Sequence, residues 1–220
     1  MSTARMSRLL RTRARYTALL VISMAIVSGC ASSGGSTPAK RTPVKIEVQE
    51  AVGFTITEEA RINNDARLSY NQGVNALDRG GLDEGIELLE AAVNAAPQLS
   101  APRIDLGIAY HRAGNLEAAE ENLLLALEVN PNHPIANNEL GIIYRKTGRF
   151  AEAKRSYETA LTVYPGYHYA RRNLAVLCDL YLGDLNCAKQ NYEAYMATVP
   201  SDEQASMWIK DLHYRMQQAE

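Results

Sequence analysis

His133-Pro-Ile-Ala-Asn-Asn-Glu-Leu-Gly-Ile-Ile-Tyr-Arg-Lys-Thr-Gly-Arg-Phe-Ala-Glu-Ala-Lys-Arg-Ser-Tyr-Glu-Thr-Ala-Leu-Thr-Val-Tyr-Pro165 decides the fold. Its closing proline has counterparts at Pro97 and Pro131, so the three stand at intervals of 34 residues. Gly73, Gly107 and Gly141 keep the same interval, as do Gly80, Gly114 and Gly148, and Ala92, Ala126 and Ala160. Columns in step at such a period mark a solenoid, in which each unit cannot bury its apolar face alone and stacks on its neighbours. Gly141 and Ala153 are small enough for two helices of a hairpin to approach, while Leu140, Tyr144 and Tyr157 fill the space beside that contact. Gly148 falls where a left-handed helix C-cap wants no Cβ, and Pro165 stops the second helix.

Leu140-Gly141-x-x-Tyr144, Ala153, Tyr157, Ala160 and Pro165 together resemble the tetratricopeptide repeat. The resemblance implies an all-α fold, a right-handed superhelix of about four helix-turn-helix repeats. These would occupy residues 66–99, 100–133, 134–167 and 168–200 of an array spanning 57–200. The first is degenerate, with Gln72-Gly73-x-x-Ala76 and Gly85 at a position where alanine is usual; the second matches well through Leu106-Gly107, Tyr110, Ala119, Leu123, Ala126 and Pro131. In the fourth, Leu174-Ala175 replaces Leu-Gly and Cys178 replaces Tyr. The interval from Pro165 to Pro200 is 35, which places one inserted residue near 179–183, at the hairpin turn. Residues 201–220 read as a capping helix: Ala205, Trp208, Ile209 and Leu212 share one face, and Lys210, Asp211, Arg215 and Gln217 the other. Trp208 is read as core of that cap rather than as a ligand-stacking residue.

Residues 1–29 read as a signal sequence, with Arg5, Arg8, Arg11, Arg13 and Arg15 ahead of an apolar run from Ala18 to Val27 that is too short to span a bilayer. Val27-Ser28-Gly29-Cys30 resembles a bacterial lipobox and implies diacylglycerol on Cys30; the alternatives are an ordinary secreted protein or an uncleaved anchor. By resemblance to bacterial lipoproteins, Ala31 favours the outer membrane, with the protein facing the periplasm. Residues 30–56 read as a tether, polar and small in composition at its start. Val44, Ile46 and Val48 alternate with polar residues, so this part either continues the disordered tether, lies along the array, or pairs with another protein's edge. Thr55-x-x-Glu58 has the form of a capping box, predicting helix from about Thr57, and Asn64 or Asp65 offers a second start.

Without residues 1–29 the chain carries 18 basic and 25 acidic side chains, a net charge of −7. Such a surface repels phosphate backbones and anionic head groups, so no nucleic-acid partner is expected and membrane attachment should depend on the lipid. There is no Gly-rich phosphate loop, His-Glu-x-x-His, Gly-x-Ser-x-Gly or Cys/His cluster at metal spacing. No enzymatic activity, cofactor, metal or small-molecule substrate is therefore expected. Glu117, Glu120, Glu121 and Glu128 read as the solvated face of one helix.

Function then falls to the surface of the repeats. In the family resembled, the first helix of each repeat lines the concave face, with ligand-dependent residues at positions 2, 5, 9, 12 and 13. Position 9 gives Val74, Ile108, Ile142 and Val176, a stripe that either floors a groove or packs inward. Position 12 contributes His111 and Arg145, position 13 Arg112 and Lys146, and position 5 Arg172, which makes the middle of the groove basic. The family's carboxylate clamp, Lys and Asn at positions 5 and 9, is not matched. An amphipathic helix or extended segment bearing acidic residues fits better. The layout resembles lipoproteins of type IV pilus and gliding-motility assembly and hydrolase adaptors, and implies a non-enzymatic scaffold for a periplasmic or outer-membrane protein such as a pilus or secretion component, a secretin subunit or a cell-wall hydrolase; the alternative is a regulatory adaptor or subunit of an envelope enzyme such as a cell-wall hydrolase. Finally, with Cys30 consumed by lipid, Cys178 and Cys187 make an even pair in an oxidising compartment. They are a candidate disulfide, or else two small buried hydrophobes.

Overall fold

In a computed structural model, which describes residues 44–49, 53–58 and 62–218, the helical turns form where the glycine columns predict them. Helices α1 (Asn64–Asp78) and α2 (Leu82–Ala95), α3 (Ser100–Ala113) and α4 (Leu116–Val129), α5 (Pro134–Lys146) and α6 (Phe150–Val163), and α7 (His168–Leu177) and α8 (Leu185–Thr198) make four successive hairpins. A last helix, α9 (Glu203–Gln218), packs on α8. The chain is thus an all-α solenoid over its described helical part. Residues 1–29, read as a signal sequence, Cys30 and the part of the expected tether up to residue 43 lie outside the described residues.

Local chemistry sets the helix ends. Asn63 accepts from the Ala66 N–H at 2.7 Å and caps α1, and Asp184 does the same for Cys187 and α8 at 2.9 Å. Ahead of α5, the Nδ1 of His133 accepts from the Ala136 N–H at 3.3 Å, with Pro134 at the first helical position, where its missing N–H costs nothing. His133 is buried, and desolvation pushes its pKa down to about 3. Gly114, at the turn between α3 and α4, has φ of 83°, a conformation strained for any residue with a Cβ.

Packing within each hairpin depends on small residues. A Cβ on Gly141 would stand 2.5 Å from the Tyr157 ring, so the fully buried Tyr157 lies against bare backbone. At Gly85, the degenerate site of the first repeat, the space of the usual methyl is taken by Leu77, whose Cδ2 would be 2.4 Å away. Alanines 119, 126, 136, 153, 160, 170, 175 and 188 are fully buried in a core that runs unbroken from α3 to α9.

In the fourth repeat the inserted residue is taken up by a π-helical turn, Cys178–Leu182, which ends at Gly183 (φ 66°) with the Asp184 N–H donating to the Cys178 carbonyl at 2.9 Å. Such a bulge admits an extra residue without breaking the helix. Cys178 and Cys187 are bridged by a disulfide across this turn. In α9, Ala205 and Leu212 are buried and Trp208 packs on Tyr192, ring centroids 5.8 Å apart. Arg215, expected on the polar face, instead reaches back to the buried carboxylate of Asp179 at 2.7 Å.

The segment before α1 departs from expectation. Residues 44–49 and 53–58, read as the end of the tether and the start of the array, form the antiparallel strands β1 (Val44–Gln49) and β2 (Gly53–Glu58). Thr57, the expected start of a helix, lies in β2. Glu58, read as part of a capping box for its own helix, accepts from the Ser100 N–H at 2.9 and 3.1 Å and from the Ser100 hydroxyl, and so caps α3, 42 residues away. Phe54 meets Tyr164 and Tyr167 edge-on, with centroids 5.4 and 5.7 Å apart. The strand therefore lies along the edge of the array where each repeat passes to the next.

Candidate partner-binding face

Helices α1, α3, α5 and α7 contact one another in sequence along the array, which places them on one continuous face. Ile108, Ile142 and Val176 occur one per helix on α3, α5 and α7 and pack, half-buried, against the main core; Val74 of α1 is half-buried against the smaller cluster of Leu89, Val93, Leu106 and Ala109. Each of the four thus divides its surface between core and solvent.

Around this stripe the structure gathers part of the basic set. His111 is half-buried; desolvation lowers its pKa, and Lys146, Arg112 and Arg145 lower it further, in that order. Arg112 and Lys146 are exposed. Arg145 is engaged: its Nη1 donates to the Tyr181 hydroxyl at 3.3 Å and its guanidinium sits 5.6 Å from the centre of that ring. Arg172 does not join the set. Its guanidinium stacks over Trp208 of α9 at 5.1 Å and its Nε lies 3.9 Å from the Asp202 carboxylate, so the C-terminal cap occupies it.

The expectation of a uniformly basic middle is corrected by two carboxylates one residue beyond position 5. Asp105 accepts from the Tyr70 hydroxyl at 2.7 Å, and desolvation raises its pKa to about 6 against the opposing effects of that bond and of Arg112. Glu139 accepts from the Asn138 amide at 3.1 Å and is raised by desolvation to about 7, again opposed by Asn138 and Arg112. The Asn138 carbonyl in turn accepts from the Asn173 amide at 2.9 Å, linking α5 to α7. Arg112 therefore favours the charged form of both acids, and the face offers cationic heads over an apolar and partly acidic floor. Counting position 6 along with the others would have exposed this: it reads Asn71, Asp105, Glu139 and Asn173.

On the outer helices, Glu120 is not simply solvated. It accepts from Arg149 at 2.6 Å, while Arg149 also binds Glu152 at 2.6 Å and lies 4.0 Å over the Tyr144 ring. Between β2 and the array there is an open cavity of about 630 Å³, lined by Ile56, Ile62, Tyr70, Leu99, Pro102 and Ile135 among others.

Comparison with known proteins matches the repeats. Residues 76–138 and 134–167 each fit a tetratricopeptide-repeat family model. Among solved structures, MamA (residues 41 to the end) of Desulfovibrio magneticus RS-1 superposes with a TM-score of 0.64 at 19% identity, covering 71% of this chain and 88% of that one. PilF of Pseudomonas aeruginosa gives 0.64 at 19% identity, covering 70% of each. The first repeat domain of Spaghetti (RPAP3), bound to the HSP90 peptide SRMEEVD, gives 0.52 at 23% identity, covering 54% of this chain and 94% of that one. These likenesses establish the fold. No curated protein matches the chain in sequence.

Proposed function

We propose, on the premise that this chain is a tetratricopeptide-repeat protein and hence a protein-interaction scaffold, that the face of α1, α3, α5 and α7 holds a peptide or helical segment of a cell-envelope protein. The observation that carries this is the stripe of half-buried Val74, Ile108, Ile142 and Val176 flanked by exposed Arg112 and Lys146. Apolar side chains of the segment cover the stripe, and its carboxylates meet the two cations, which set register and encounter rate more than affinity. Peptide binding by a repeat domain of this architecture has a counterpart in the RPAP3 complex with the HSP90 peptide. The reading further holds that Cys30 carries lipid, that the protein hangs from the outer membrane into the periplasm, and that it acts in assembly of a pilus, secretin or secretion complex. The lipobox and its basic, apolar approach support that tethering.

Capture of partners by the full chain from envelope membranes, followed by mass spectrometry, tests the face. Arg112→Glu with Lys146→Glu changes only exposed side chains, so circular dichroism should stay unchanged while the captured proteins are lost. Retention of every wild-type partner would move binding off this face. For the anchor, Cys30→Ser should end palmitate incorporation and release the protein from membranes; unchanged labelling refutes it.

A further inference from the structure

The β-hairpin presents an edge that the scaffold reading does not use. In its register Val44 faces Glu58, Lys45 faces Thr57, Ile46 faces Ile56 and Glu47 faces Thr55. Val44 and Ile46 are half-buried on the side that carries Phe54, Ile56 and Glu58 toward the array, whereas Lys45 and Glu47 are exposed on the other. Among the described residues, β1 pairs with β2 alone, and its second edge has no strand against it. Proteins normally blunt such an edge with proline, a bulge or unbalanced charge. β1 has no proline or glycine over its six residues, and its one lysine is balanced by its one glutamate, which it meets in an ion pair within the strand.

The order of those residues selects a partner. Val44-Lys-Ile-Glu-Val48 is antisymmetric in charge about Ile46. When a second copy is laid antiparallel with Ile46 opposite Ile46, each Lys45 faces the other copy's Glu47, and each Val44 faces a Val48. Both cross-strand charge pairs are complementary, and Val44 and Ile46 of each copy fall on the face turned to the arrays. A parallel alignment in register would set Lys45 on Lys45 and Glu47 on Glu47. We propose that this chain dimerises through β1, two hairpins joining about Ile46 into a continuous four-stranded sheet. Because the hairpin lies on the edge of the array where repeats join, the proposal does not depend on what the helical face binds. Five residues of pairing, Val44 to Val48, make a reversible dimer rather than an obligate one.

The test is sedimentation velocity of the full chain in mild detergent across a concentration series. The wild type should pass from monomer to dimer. Lys45→Glu sets two Glu–Glu pairs across the joint and Glu47→Lys two Lys–Lys pairs, so each variant alone should dimerise about tenfold more weakly. Mixed one to one, the all-acidic strand of the first variant lies against the all-basic strand of the second, every charge meeting its opposite. A heterodimer should then form at least as tightly as the wild-type dimer. A wild type that stays monomeric overturns the proposal. So does a dimer indifferent to both substitutions, which would use another surface, or a mixture that remains monomeric.

Discussion

Arg215 of α9 donates to Asp179 of the fourth repeat at 2.7 Å, and the two side chains differ greatly in exposure, 37% against 4%. The Asp179 carboxylate also receives the Tyr192 hydroxyl at 3.5 Å. A buried acid is thus served by two donors, one from the neighbouring helix and one from the cap. Removing Arg215 leaves the carboxylate buried and short of a partner, so Arg215→Met should cost about 2–3 kcal/mol by urea unfolding. In Arg215→Met with Asp179→Leu the loss should be well below the sum of the single losses. Additive losses would mean the pair is not coupled.

The Cys178–Cys187 bridge closes a short loop across the π-helical turn. Loop-closure entropy gives such a bridge on the order of 2–3 kcal/mol. Reduction, or Cys178→Ala with Cys187→Ala, should lower the melting temperature by several degrees, with amide exchange rising first in α7 and α8. Thiol titration of denatured, unreduced Cys30→Ser protein should find no free thiol.

Titration of the inner face has a definite sign. Glu139 holds its proton up to about pH 7 when folded, against an ordinary 4.5, so its contribution to stability is present below about 4.5 and is lost as pH rises through 7. Asp105, raised to about 6, acts in the same direction at lower pH. His133 acts oppositely: depressed to about 3, it contributes above its ordinary 6.5 and loses that contribution as pH falls toward 3. Glu139→Gln should therefore raise the melting temperature at pH 8, leave it nearly unchanged at pH 4.5, and steepen the rise of stability between those values. A substitution that shifts every pH equally would place Glu139 outside the titration.

Gly141→Ala directs a Cβ into the buried ring of Tyr157. Such overpacking costs typically about 1–3 kcal/mol. Shortening the neighbour in Gly141→Ala with Tyr157→Leu should recover part of the loss, whereas Gly141→Ala would be near neutral if the ring could swing aside.

Much of the fold was legible because its determinants are local and repeated. Gly141 beside Tyr157, and the glycines after each first helix, obey spacing rules that hold wherever the hairpins stand. The alternation of Val44, Ile46 and Val48 marked an extended segment, but its partner β2 was not legible for a related reason: Glu58 carries the chemistry of a helix cap, and sequence spacing cannot tell whether the helix it serves is the next one or α3, 42 residues on. The face was half read. Its aliphatic stripe and exposed cations follow from position counting, but Asp105 and Glu139 sit at a position left out of the count. Arg172 read as a groove cation and Arg215 as part of a polar helix face because only the path of α9 brings Trp208, Asp202 and Asp179 to them.

A stack of repeats ordinarily communicates only between neighbours, so that its ends fray independently. β2 changes that. Phe54 rests on the junction that leads into the fourth repeat and Glu58 on the one that leads into the second, so a single strand bridges two junctions that lie two repeats apart. Strain or loosening at one end is therefore felt at the other through a splint outside the stack, and the array should respond to force or heat more nearly as one body than a bare row of hairpins would.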